Sequence, residues 1–156
     1  MAGGDIIHIE LDEKSIVRRN ADIEHERKVA MFDLLEENSF RLKSGLEGPY
    51  ELILRLEENR LVLDLRQPAD GPIEEIRLQL TPFRRIIKDY FLVCDSYFKA
   101  IKTSSPSQIE AIDMGRRGLH NEGSELLKDR LSDRVEMDFD TARRLFTLLC
   151  VLHIRG

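Results

Sequence analysis

The chain has 156 residues and a mass of 18.1 kDa; 42% of it is hydrophobic and 34% charged, with Lys+Arg 24 against Asp+Glu 29 and a formal charge of −5. That composition fits one soluble domain, 1–156, whose core needs neither disulfides nor metal. It has no apolar run near the ~20 residues that cross a bilayer, and Met1-Ala2-Gly3-Gly4-Asp5 lacks the features of a secretory signal, so no membrane association and a cytoplasmic location are expected.

Charge divides unevenly. Residues 1–80 carry 11 basic and 18 acidic side chains and residues 81–156 carry 13 and 11. Neither half is basic enough to advertise nucleic acid, but halves of opposite sign suit each other along a seam.

In chain order, Ile7, Ile9 and Leu11 alternate with His8 and Glu10, the two-residue period of a half-buried strand. Asn20 is placed to cap a helix with Asp22, Glu24 and Glu26 in its first turns, the sign that the positive end of the dipole favours. That helix is expected to bury Ile23, Ala30, Met31 and Leu34 and to end near Asn38. From Tyr50 the period is two again. Leu52, Leu54 and Leu56, then Leu61, Leu63 and Leu65, flank a Glu58-Asn59 turn, and after Pro68-Ala69-Asp70-Gly71-Pro72 come Ile76, Leu78 and Leu80. The pattern predicts a three-stranded antiparallel meander.

Helices follow. Thr81-Pro82 gives an N-cap and a first-turn proline, and Phe83, Ile87, Tyr90, Cys94, Tyr97 and Ile101 recur at steps of four and three, broadened by Ile86, Phe91 and Phe98. This stripe predicts the central helix. Ser105-Pro106 repeats the cap signal for a helix through Ile109, Ile112, Leu119, Leu126 and Leu127. Asp140 is read as the cap of a last helix, 141–153, apolar nearly all round, which is either wrapped by its own domain or completed as a homodimer seam through Leu145, Phe146, Leu148, Leu149, Val151 and Leu152. The expected class is α+β: an antiparallel sheet over about 50–80 plus an N-terminal strand, packed against a central helix and three others.

The densest chemistry lies in DMGRRGLHNEG, 113–123. Gly115, Gly118 and Gly123 each cost about 1 kcal/mol against alanine inside a helix, so each marks a break or a close approach. On a continuous helix Arg116 falls near the apolar stripe and needs an acidic partner, with Asp113, His120 and Glu122 nearest. The functional reading is a binding site in which Arg116 or Arg117 grips an anion and His120, Asn121 and Glu122 supply polar contacts; the structural one is an ion network that fixes helix packing. Arg84-Arg85 and Arg143-Arg144 each stand near a helix start, where backbone N–H groups already attract anions. They either extend an anion site or reach the acids Glu36, Glu37, Glu74 and Glu75 across the seam.

No catalytic residue is assigned and no cofactor or metal is expected. The chain lacks HExxH, and its glycines are spaced wrongly for a nucleotide loop. Cys94 and Cys150 form no CxxC and read as buried thiols. A metal held by His25, His120 and distant carboxylates, and Ser124 acting beside His120, are minor alternatives.

The segments DIEHERKVAMFDLLEEN (22–38), TPFRRIIKDYF (81–91), SPSQIEAIDMGRRGLHNEGSELLKDRL (105–131) and DFDTARRLFTLLCVL (138–152) resemble uncharacterised protein family 0262, over nearly the whole chain and least clearly over 41–80. The resemblance implies a compact bacterial cytoplasmic protein and carries over no activity or catalytic residue. The expected function is a non-catalytic binding or regulatory protein whose 113–123 segment, with nearby arginines, takes an anionic small molecule or a protein partner. Two alternatives stand beside it: an acid–base enzyme on a phosphorylated or carboxylated metabolite using His120 with Glu122 or Asp113, and RNA or ribosome association through Arg84, Arg85, Arg143 and Arg144.

Overall fold

The computed structural model describes residues 5–12 and 21–153, so the expected Asn20 cap lies outside the described residues. The fold is α+β. Strands β1 (Ile6–Leu11), β3 (Tyr50–Glu57), β4 (Arg60–Gln67) and β5 (Gly71–Gln79) form one sheet in the order β1-β3-β4-β5. The meander β3-β4-β5 is antiparallel, with Glu58 at φ +57° in the first hairpin. The N-terminal strand joins it in parallel, pairing Ile9 with Leu52 and Leu11 with Leu54. A parallel neighbour needs a crossover, and α1 (Ala21–Glu36) lies within it.

The simple alternation expected for β1 fails at Ile7. The register shifts between Ile6 and His8, so Ile6, Ile9 and Leu11 face the core while Ile7 is half exposed. One extra residue moves the following side chains to the other face. Asn38, buried just past α1, fixes the start of this strand: its Oδ1 accepts from the amides of Asp5 and Ile6 at 2.8 Å each, and its Nδ2 donates to the carbonyls of Ile6 and Leu34.

A second, two-stranded sheet has no counterpart in the sequence reading. β2 (Phe40–Leu42) pairs antiparallel with β6 (Val135–Met137), burying Phe40, Leu42, Val135 and Met137. Three residues show too little periodicity to reveal a strand, and here tertiary contacts decide.

The helices correct three expectations. Thr81–Phe83 is a 3-10 turn before α2 (Arg84–Thr103); the Thr81 hydroxyl makes no cap bond and instead accepts from Asn59 Nδ2. The last helix, α4 (Phe139–His153), is capped by Asp138, whose Oδ1 accepts from the Thr141 amide at 2.9 Å, while Asp140 sits in the first turn. The central helix is α4 rather than α2. It contacts α1, β3 and α3 (Pro106–Arg130), whereas α2 packs on α3 and leaves Leu92 and Ile101 more than half exposed.

Leu145, Phe146, Leu148, Leu149, Val151 and Leu152 are all buried within the one chain, so the domain itself wraps the apolar helix. At about 1.5–3 kcal/mol for each such side chain, α4 is the main apolar contributor among the helices. Among the described residues no helix is long and apolar enough to cross a membrane.

The expected charge seam is also replaced. Arg55 reaches Glu57, two residues along its own strand, and Asp64 and Glu75 on other strands of the sheet, while Arg66 reaches Asp64 along β4, because on one face of a sheet both kinds of neighbour are close. The first half thus satisfies most of its own sheet acids. Of the acids assigned to the seam, Glu74 takes a partner from the second half, Arg134 at 2.9 Å.

Candidate functional site

Residues 113–123 are continuous helix within α3, which opens with a reciprocal capping box between Ser105 and Gln108. Its glycines differ in role. Gly115 and Gly118 face open space, but a Cβ on Gly123 would lie 2.6 Å from Cε2 of Phe146 and closer still to Cζ and Cε1. Gly123 is where α3 crosses onto the α4 core, and that close crossing sets the face that the preceding turns present.

That face carries Arg116, Arg117 and His120. Asp113 holds both arginines: Arg116 donates to its Oδ1 through Nη2 at 2.6 Å and Nε at 3.1 Å, and Arg117 Nε lies 3.1 Å from Oδ2. The Arg116 hydrogen bond, reinforced by both arginine charges, holds the Asp113 carboxyl below its usual pKa. Burial opposes the Arg116 charge, but Asp113 outweighs it and the guanidinium stays ionised, 4.9 Å above the Tyr97 ring.

His120 lies edge-on to Tyr90 and Phe146, with ring centroids 5.4 and 5.2 Å away. Its Nε2 is 2.7 Å from Thr147 Oγ1, and its Nδ1 is 3.5 Å from Ser124 Oγ. The Ser124 hydroxyl donates to the His120 carbonyl at 2.7 Å, so toward the ring it accepts. The Thr147 hydroxyl likewise lies 3.3 Å from the Arg143 carbonyl as a donor, so each ring nitrogen faces a hydroxyl that also reaches a helix carbonyl. Burial, with the Arg143 and Arg116 charges beside it, lowers the His120 pKa to about 4, and the ring is neutral at physiological pH.

Arg143 and Arg144 stand on the first turns of α4, Arg143 Nη1 3.7 Å from Asp140 Oδ1 and Arg144 Nη1 donating to the Asp140 carbonyl at 3.1 Å. Facing them is α1, with His25, Glu26, Val29, Ala30 and Asp33. Together with Tyr90 and Thr147, these side chains and those of Arg116, Arg117 and His120 line one recess of about 380 Å³. The volume suits a small metabolite. Burial raises the Tyr90 phenol well above its ordinary pKa, with the Glu26 charge adding to the effect, so the ring contributes as a neutral wall.

Of the seven residues assigned to the binding site from sequence, the recess gathers Arg116, Arg117 and His120, and it adds Arg143, Arg144 and His25 from the alternative readings. The other four of the seven lie elsewhere. Asn121 and Glu122 are exposed and do not line the recess, since one and two further steps of 100° carry them around the helix from His120. Arg84 donates to Asn59 Oδ1 at 2.9 Å, and Arg85, 3.9 Å from Asp89, is almost wholly exposed. Neither arginine pair reaches Glu36, Glu37, Glu74 or Glu75. Sequence reasoning missed the α1 wall and Thr147; the adjacent His25-Glu26 pair was its one visible trace. His25 and His120 share the recess, but among the described residues no group of three or more His, Cys, Asp and Glu could hold a metal ion. Cys94 and Cys150 are free and buried, and burial pushes the Cys94 thiol up to about 11.

This chain belongs to the Uncharacterised protein family (UPF0262), whose model matches residues 4–155. It is similar to a UPF0262 protein of Rhodospirillum rubrum, 60% identical over 151 residues that cover 97% of this chain and 93% of the relative. A UPF0262 protein of Paramagnetospirillum magneticum is 62% identical over 148 residues, covering 95% and 94%, and one of Azorhizobium caulinodans is 59% identical over 150 residues, covering 95% and 93%. The names of these relatives state no activity. No solved structure matches the chain.

Proposed function

We propose that this protein is a cytoplasmic, non-catalytic binding protein that takes a small multiply charged anion in the recess between α1, α3 and α4. The observation that supports this is the convergence of Arg116 and Arg117 from one helix with Arg143 and Arg144 from another on a single cavity of about 380 Å³. Guanidinium groups from two directions suit a carboxylate or phosphate, which accepts forked hydrogen bonds. The size of the cavity favours a metabolite over the side chain of a protein partner. Free, buried cysteines accord with a reducing compartment.

Binding is preferred to acid–base catalysis because both ring nitrogens of His120 face hydroxyls of the protein and Glu122 is exposed on another side of α3. A general base works best with a pKa near the working pH, far above the value that burial imposes here. RNA association is disfavoured by the separation of Arg84 and Arg85 from the recess.

The test is calorimetric titration of the full chain with inorganic pyrophosphate and with citrate, alongside an Arg143→Ala plus Arg144→Ala variant. These arginines make only exposed or backbone contacts, so the variant is expected to keep its thermal stability and to lose at least tenfold in affinity. Equal affinity in the variant, or no binding of either anion by the native protein, would refute the proposal.

A further inference from the structure

We infer that the occupant of the recess is a zwitterion, with a carboxylate or phosphate against the arginines of α3 and α4 and a protonated amine against α1. The inference rests on reading the recess as a ligand site, and its basis is that the two walls have opposite charge. Among the described residues Arg116 and Arg117 form ion pairs with Asp113 and Arg143 with Asp140, while Arg144 donates to the Asp140 carbonyl, which leaves the α3–α4 wall with a formal surplus of positive charge. The α1 wall presents the carboxylate of Asp33, with Val29 and Ala30 beside it.

Among the described residues no ion pair joins Asp33 to any of those four arginines, although all five side chains line the same cavity. A ligand of one sign complements one wall and sets like charge against the other. Both are complemented by a ligand with charges at its two ends, whose short spacer would lie along Val29, Ala30 and the Tyr90 ring. Recognition of this kind depends on opposite potentials at the two ends of a site, so a ligand with one charge engages one wall and binds more weakly than one that engages both.

The experiment titrates the full chain with 6-aminohexanoate, hexanoate and hexylamine, which share one spacer length, and in a second arm with O-phosphoethanolamine, inorganic phosphate and ethanolamine. In at least one arm the zwitterion is expected to bind at least tenfold more tightly than either single-charge probe, and the arm that does so identifies the anionic group. Asp33→Asn should remove most of that preference while leaving the single-charge anion bound equally or better, and Asp33→Glu should retain it. Single-charge anions that match the zwitterions in both arms, or an unchanged preference in Asp33→Asn, would overturn the inference and leave the anion site standing. Failure of both pyrophosphate and citrate to bind would overturn the anion site and with it this inference.

Discussion

Replacing Gly123 with alanine tests whether α3 and α4 meet as closely as the recess requires. Ordinary carbon contacts lie near 3.5–4.0 Å, and the new methyl would start 2.6 Å or less from three atoms of the Phe146 ring. The ring cannot simply swing aside: it is fully buried, edge-on to His120 at 5.2 Å and to Tyr90 at 6.3 Å. Overpacking of this kind costs about 1–3 kcal/mol, and steric overlap with a buried ring belongs at the upper end. Better helix propensity returns about 1 kcal/mol, so a net loss of about 1–2 kcal/mol is expected.

For a domain of this length each kcal/mol moves Tm by roughly 2–4 °C, and Gly123→Ala should melt several degrees below the native protein by calorimetry. Gly115→Ala and Gly118→Ala, whose new methyls meet nothing within 4 Å, should each raise Tm slightly. In a Phe146→Leu background the Gly123→Ala penalty should largely vanish, the coupling expected of touching residues. A Gly123→Ala protein that melts at or above the native temperature would refute the close crossing.

Three further outcomes follow. His120 is held near a pKa of about 4, below the unfolded value of about 6.5, so the unfolded chain binds its proton first and stability falls as pH drops from about 6.5 toward 4. Urea unfolding at pH 7 and pH 4.5 should show a loss of about 2 kcal/mol, and His120→Gln should flatten that dependence; an unchanged slope in the variant would assign the acid sensitivity elsewhere. Asn38→Ala strips the buried amides and carbonyls of Asp5, Ile6 and Leu34 of four hydrogen bonds, and urea unfolding should register about 2–4 kcal/mol less stability; a cost below 1 kcal/mol would contradict that role. Asp138→Ala should cost about 1 kcal/mol by loss of the α4 cap and Asp140→Ala only a few tenths, an order that thermal melts would reveal and that reverses if Asp140 is the cap.

Long periodic segments are legible in the sequence because their apolar side chains recur on the face turned to the core, even on β4, where Val62 and Asp64 on the other face are buried too. The Leu52-Leu54 and Leu61-Leu63-Leu65 alternation and the Phe83-to-Cys94 stripe locate the meander and α2 directly. What pattern cannot carry is which partner an element finds. The longest amphipathic stripe, on α2, suggested the central helix, yet α4 holds that place because a helix apolar all round must be enclosed. The bulge beside Ile7 and the three-residue strands β2 and β6 arise from tertiary pairing and leave almost no local trace.

At the site, helical spacing put Arg116 near the apolar stripe and named Asp113, His120 and Glu122 as candidate partners, of which the structure pairs it with Asp113. Sequence proximity then misled for Asn121 and Glu122, which share the segment but not the face. Arg84-Arg85 and Arg143-Arg144 look alike in sequence and part company because their helices start at different places in the fold. Glu26 reads as a favourable helix-dipole charge and Asp33 gives no signal, and their place along the recess depends on a packing between α1 and α4 that no local signal encodes.

The most direct measurement is an NMR titration of the isotope-labelled full chain with inorganic pyrophosphate at pH 7. Saturable amide shifts should concentrate at Arg116–His120, Arg143–Thr147 and the facing turns of α1, with Arg84 and Arg85 unmoved. Shifts centred on Arg84 and Arg85, or none that saturate, would contradict an anion site in the recess.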